Sequence, residues 1–142
     1  MGTLYLAAAV LIIFNILDSI TTHIALYKLP DHLRARESNP LMAKLFVKNY
    51  KLAQIIKHTL VFAGAVYLII SNDLYSLELI ATMLGLVVLN NAYILIGRMI
   101  MGKRIDSPIR RLQRLLHIPD KLYYVLVAII IIALSIFIVG NV

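Results

Sequence analysis

Asn15, Asp18, Ser19 and Thr22 interrupt a stretch that is otherwise aliphatic. A helix turns about 100° per residue. With Asn15 at zero, Asp18 falls near 300°, Ser19 near 40° and Thr22 near 340°, one stripe about 100° wide. Thr21 lies outside the stripe and His23 at its edge. A carboxylate at the centre of a hydrocarbon layer costs roughly 2.5–3.5 kcal/mol or more. The stripe must therefore face other helices or water. A second apolar stretch carries Gln54, Lys57 and His58 on one face, and a third carries Asn90 and Tyr93. An ammonium set against a carboxylate, with amides around it, can hold a proton, bind an ion or a small polar solute, or lock helices together.

Other chemistries lack their residues. The chain has no cysteine, which excludes disulfides, thiolate catalysis and cysteine-ligated metals. No nucleophile constellation and no H-E-x-x-H spacing occurs. His23 and His58 stand at unequal depths, a poor match for a shared haem. His32 falls in a loop and His117 at a helix end. No catalytic residue, metal site or cofactor is expected.

Four apolar segments are long enough to position these groups across about 30 Å of hydrocarbon. They lie at about 4–27, 50–71, 77–97 and 122–139 in a chain of 142 residues that is 61% hydrophobic. The sequence thus predicts one domain, an all-α integral membrane four-helix bundle. At 1.5 Å per residue, Asp18, Lys57 and Asn90 lie about 14, 10 and 11 Å from the basic ends of their segments. They can meet in one layer, with Asp18 and Lys57 as an ion pair. Small residues at Gly64, Ala65, Ala81 and Gly85 would let helices approach closely. The fourth segment has only Ser135 at its middle and is expected to be the most lipid-exposed or a purely structural helix.

The net charge of +7 is distributed unevenly. Lys28–Lys51 holds six basic residues and Arg98–Lys121 seven, whereas the link Asn72–Ser76 holds none. This positive-inside pattern puts both basic loops in the cytoplasm and both termini outside the cell membrane. It also explains the charge without nucleic acid, which is not expected as a partner. The expected partners are the bilayer, its anionic headgroups at the cytoplasmic face and, because four spans enclose little volume, a second copy of the chain. Within the first loop, Asn39 caps and Pro40 opens an interfacial helix over about 40–48, with a bend near Asn49. Within the second, Ser107 and Pro108 open an amphipathic helix over about 108–118, ended by Pro119. Its apolar side is Ile109, Leu112, Leu115 and Leu116, and its basic side Arg110, Arg111 and Arg114 is expected to lie on the membrane surface.

The pattern Asn15-x-x-Asp18-x-x-Thr21-Thr22, followed by Glu37-x-Asn39-Pro40, resembles the N-terminal signature of a family of small prokaryotic multi-pass membrane proteins known only as a domain of unknown function. The resemblance covers roughly residues 10–60. It implies a bacterial or archaeal membrane protein, makes Lys57 the counterpart of a lysine in the family's next helix, and draws attention to Glu37 as a loop acid that could reach the cluster. It supplies no activity. The leading expectation is a polar intramembrane site for a proton, ion or small solute, built on Asn15, Asp18, Thr22, Glu37, Lys57 and Asn90. Ser19, His23, Gln54, His58 and Tyr93 are its secondary members. The alternative is a non-catalytic scaffold that uses the same charges as interhelical glue. A membrane enzyme acting on a lipid-like substrate ranks third.

Overall fold

The structure, a computed structural model, describes residues 2–34, 40–119 and 122–141, without the side chains of 40–47 and 124. Glu37 and Asn39 lie outside the described residues. Every regular element among those described is helical. The helices are α1 (Gly2–His23), α2 (Pro40–Ile70), α3 (Leu74–Met101), α4 (Pro108–Leu115) and α5 (Tyr123–Gly140). Three stretches are long and apolar enough to cross a membrane: Gly2–Lys28, Lys48–Ile70 and Leu74–Met101. α5 is a shorter apolar helix.

The helix ends follow from local chemistry. α1 continues into a π-helical turn, Ile24–Lys28, which stops at Leu29. Pro30 forces the residue before it out of the helical region, and Leu29 is extended at φ −73° and ψ 152°. Within α2 the helical path breaks at Asn49, whose φ is −164° and ψ 97°. The Asn49 side-chain carbonyl accepts from the Leu52 backbone N–H at 3.1 Å, so this residue caps the segment that follows.

α2 and α3 meet in a very short turn. Asn72 takes a left-handed φ of 55°, a conformation that asparagine tolerates better than most residues. The Asp73 N–H then reaches Leu68 O at 3.0 Å and the Asn72 N–H reaches Ile69 O at 3.1 Å. These two bonds are the Schellman pair that closes a helix. Asp73 immediately opens the next one, its Oδ1 accepting from the Ser76 N–H at 3.0 Å. α4 ends by the same device rather than at Pro119. His117 has φ 55°, the Ile118 N–H bonds Gln113 O at 3.0 Å, and the His117 N–H bonds Arg114 O at 3.2 Å. The helix thus closes two to three residues before the position read from the proline.

α1 is the hub. It runs parallel to α3 and antiparallel to α2, while α5 packs against α3. Away from the basic loops the three helices share an apolar core of Leu4, Ala8, Leu11, Ala65, Leu77 and Ala81. Alanines at the crossing points allow the close approach that lets van der Waals contact hold apolar helices together. Gly85 serves the same purpose against α1, since a Cβ there would sit 2.8 Å from the Phe14 ring. Gly64, by contrast, faces open space and mediates no approach. At the basic end, Leu29, Leu33 and Leu95 form a second small core. Arg98 Nη1 and Arg104 Nε fasten the 29–34 turn there by donating to Leu33 O and His32 O, each at 2.9 Å.

α4 packs through its polar side. Gln113 is buried, with its Nε2 donating to Ile118 O at 2.8 Å. Ser107 meets the Tyr123 hydroxyl at 3.1 Å, and the Arg110 guanidinium lies 4.4 Å from the Tyr123 ring centroid. Arg114 pairs with Asp106 at 2.9 Å and Arg111 is exposed. Leu112, Leu115 and Leu116 point away from the protein.

Candidate functional site

Between the two apolar cores the register of α1, α2 and α3 brings polar side chains to one level. α1 supplies Asn15, Asp18 and Ser19, α2 supplies Gln54, Lys57 and His58, and α3 supplies Asn91. Lys57 Nζ donates to Asp18 Oδ2 at 2.5 Å and to Ser19 Oγ at 3.1 Å. Asn91 Nδ2 donates to Asp18 Oδ1 at 2.8 Å. Each carboxylate oxygen of Asp18 is therefore matched by a donor from a different helix, and the pair is neutral as a unit. The side chains of Lys57 and Asp18 retain 20% and 13% exposure, so the pair is largely but not fully sealed.

A second chain of polar contacts flanks it. Asn15 Nδ2 lies 2.7 Å from His58 Nδ1. An amide nitrogen can only donate, so Nδ1 accepts and the neutral ring carries its proton on Nε2. The Ser19 hydroxyl lies 2.8 Å from Gln54 Oε1 and 3.1 Å from Asn15 O, and its single proton serves one of them at a time. Asn15 Oδ1 and Gln54 Nε2 are buried without a hydrogen-bond partner. Native interiors satisfy nearly all such atoms. Two unsatisfied atoms beside one ion pair therefore call for an explanation.

An open groove of about 340 Å³ adjoins this layer along the α1–α2 seam. Ile16, Ile20 and Ile24 form its apolar wall, and Ser19, Gln54 and His58 its polar wall. At the basic end it is bounded by His23 and Tyr50. With Tyr27 these make a ring cluster whose centroids are 5.0–5.5 Å apart. The π-helical turn begins next to His23, a placement that such turns often take beside functional sites.

The residues read from the sequence divide into three sets. Asn15, Asp18, Ser19, Gln54, Lys57 and His58 are brought together. Thr22 is partly buried and makes no side-chain hydrogen bond among the described residues, and Tyr93 is 44% exposed. The third set is a correction on α3: the asparagine that meets Asp18 is Asn91, not Asn90. The buried stripe of α3 runs through Leu77, Ala81, Gly85, Val88 and Leu95. Asn91 lies about 70° from its centre and Asn90 about 170°. The Ala81–Gly85 pair was the signal that could have chosen between them.

Among the described residues no group of three or more His, Asp or Glu side chains could hold a metal ion. The groove instead presents the Ser19, Gln54 and His58 side chains to a polar group placed against them. The chain matches no protein-family model, no curated protein and no solved structure.

Proposed function

We propose that the chain is an integral membrane protein of four spans, α1, α2, α3 and α5, and that the polar layer with its groove is a binding site for a small polar solute or polar group. Both termini lie outside and both basic loops in the cytoplasm, which puts the site in the cytoplasmic half. α5 has 18 residues, about 27 Å of helix, close to the thickness of the hydrocarbon layer. α4 lies in the membrane surface, with its outward leucines in the acyl boundary and Arg111 toward anionic headgroups.

The observation that carries the binding reading is the pair of unsatisfied buried atoms, Asn15 Oδ1 and Gln54 Nε2, beside a satisfied ion pair and an open groove. A site kept ready for a ligand sacrifices stability in this way. Replacing Gln54 with leucine tests it. Ser19 keeps Asn15 O as an acceptor, and the orphaned N–H is removed. The variant should be more stable than the wild type in ligand-free detergent, by about 1 kcal/mol, the lower end of the cost of one unsatisfied buried group. A Gln54→Leu variant that melts at lower temperature than the wild type would contradict the binding reading.

One observation favours a second reading. Both Asp18 oxygens are matched by neighbouring helices, as a pure interhelical clamp requires. Under that reading the Ser19–Gln54 contact is part of the clamp, and Gln54→Leu lowers stability.

A further inference from the structure

We propose that the basic end of α3 carries a binding site for the phosphate of an anionic membrane phospholipid, formed by Arg98 and Arg104. The proposal rests on the membrane placement given above and is independent of the polar layer.

Two like charges are held side by side there. Arg98 stands in the last turn of α3 and Arg104 in the link that follows it. Gly102 ends the helix in the left-handed conformation, and the chain doubles back so that the buried Ile105 packs over Gly97. A Cβ on Gly97 would collide with the Ile105 side chain, so glycine lets the link lie close against the helix. Arg98 follows Gly97 and Arg104 precedes Ile105, so this contact sets the two arginines together. Both are then tethered to one turn. Arg98 Nη1 donates to Leu33 O and Arg104 Nε to His32 O, the carbonyls of consecutive residues, each at 2.9 Å. Of the charges around Arg98, Arg104 acts on it most strongly, and it repels.

No acid offsets this pair. Asp31, in the same turn, pairs with Arg34 at 2.6 Å, and Asp106 pairs with Arg114 at 2.9 Å. Among the described residues no carboxylate pairs with Arg98, Lys103 or Arg104. Arg98 Nε is buried without a hydrogen-bond partner, so its guanidinium is already partly stripped of water. Partly desolvated like charges carry a cost that a bound anion offsets.

The remaining donors are accessible. Arg98 Nη2 has no hydrogen-bond partner among the described residues and, unlike Nε, is not sealed. Arg104 is exposed, and only its Nε is used. Lys103 beside it is exposed as well. Planar guanidinium donors match the oxygens of a phosphate. A phosphate with two charges balances the two arginines, whereas one joined to its own ammonium brings another cation to the site. The site therefore selects an anionic headgroup over a zwitterionic one. Depth names the source. Arg98 lies three residues, about 4.5 Å, inside the end of a helix long enough to cross a membrane. In a bilayer that is the level where the hydrocarbon gives way to headgroups.

The test uses the full chain in detergent micelles, with bound lipid counted by native mass spectrometry. The probes are phosphatidic acid, phosphatidylcholine with the same acyl chains, and inorganic phosphate. Phosphatidic acid should bind several-fold tighter than phosphatidylcholine. Arg104→Gln, in an exposed link, should weaken phosphatidic acid binding about tenfold, the low end for loss of a hydrogen bond to a charged group. Arg98→Lys keeps a charge beside Leu33 O but loses the planar fork, and it should weaken binding as well. Lys51→Gln removes one exposed charge from α2 and should change binding by less than about twofold, because exposed charges are screened. Equal affinity for the two lipids, or equal losses in Arg104→Gln and Lys51→Gln, would overturn the inference. So would displacement of the lipid by millimolar inorganic phosphate, which would make the site one for a soluble phosphate. The membrane placement is read separately. A chain that is monomeric in water without detergent would remove it, whereas equal lipid affinities in a chain that needs detergent remove the phosphate site alone.

Discussion

At the scale of single residues, the polar layer shows how one position along a helix decides whether an asparagine is structural. Asn90 and Asn91 are chemically identical neighbours about 100° apart. Only Asn91 reaches the Asp18 carboxylate. Replacing Asn91 with leucine removes one donor from a largely buried anion and should destabilise the protein by about 1.5–3 kcal/mol, the range for hydrogen bonds to charged groups. Asn90→Leu should change stability by less than about 0.5 kcal/mol, as substitutions away from such features do. Thermal melts of both variants in the same detergent check the pair. Equal losses at the two positions would put the wrong asparagine in the layer. Asp18, Lys57 and their neighbours on α1 and α2 were legible in the sequence because charges within long apolar segments are rare and must find each other. Asn91 was not, because polarity and depth cannot separate adjacent residues unless the buried stripe of the helix is fixed first.

At the scale of elements, the α2–α3 turn compresses a stop and a start into two residues, Asn72 and Asp73. The Asp73 carboxyl is held below its ordinary range by hydrogen bonds from Ser76, the hydroxyl first and the backbone N–H second. Its pKa is lowered on folding, so the ionised cap stabilises the folded state above the unfolded pKa. That contribution disappears as pH falls through the lower, folded value. The melting temperature of the wild type should therefore exceed that of Asp73→Ala near neutral pH, and the gap should close as the solution is acidified below about pH 4. A gap that stays constant through that range would mean that the carboxylate does not cap α3. The turn was legible as a short polar link. The ends of α1 and α4 were less so. Pro30 signals the first stop through its effect on Leu29, but His117 in a left-handed conformation carries no such signal. Only the buried Gln113, bonded back to Ile118, shows why α4 closes early.

At the scale of the whole molecule, the chain stacks an apolar core, a polar layer and a small basic-end core along three helices, with α5 packed on α3 and α4 folded back through its polar side. The alternation of apolar and basic segments announced an all-helical protein with several apolar helices. The order in which those helices pack was not announced, because outward-facing and helix-facing residues are both apolar. α2 illustrates the ambiguity. Gly64 and Ala65 are adjacent small residues, yet Ala65 is buried in the core and Gly64 faces open space.

The central claim is that α1 and α2 are joined by an ion pair, Asp18 with Lys57, set in a polar layer between apolar cores. A double-mutant cycle on Asp18→Asn and Lys57→Met, read from unfolding free energies in lipid-like detergent, tests it most directly. Each single change leaves an uncompensated partner and should cost about 3–5 kcal/mol, whereas the neutral double variant should recover much of the loss. A coupling energy of about 2 kcal/mol or more is the predicted result. Additive losses, with a coupling within about 0.5 kcal/mol of zero, would mean that the two charges do not meet.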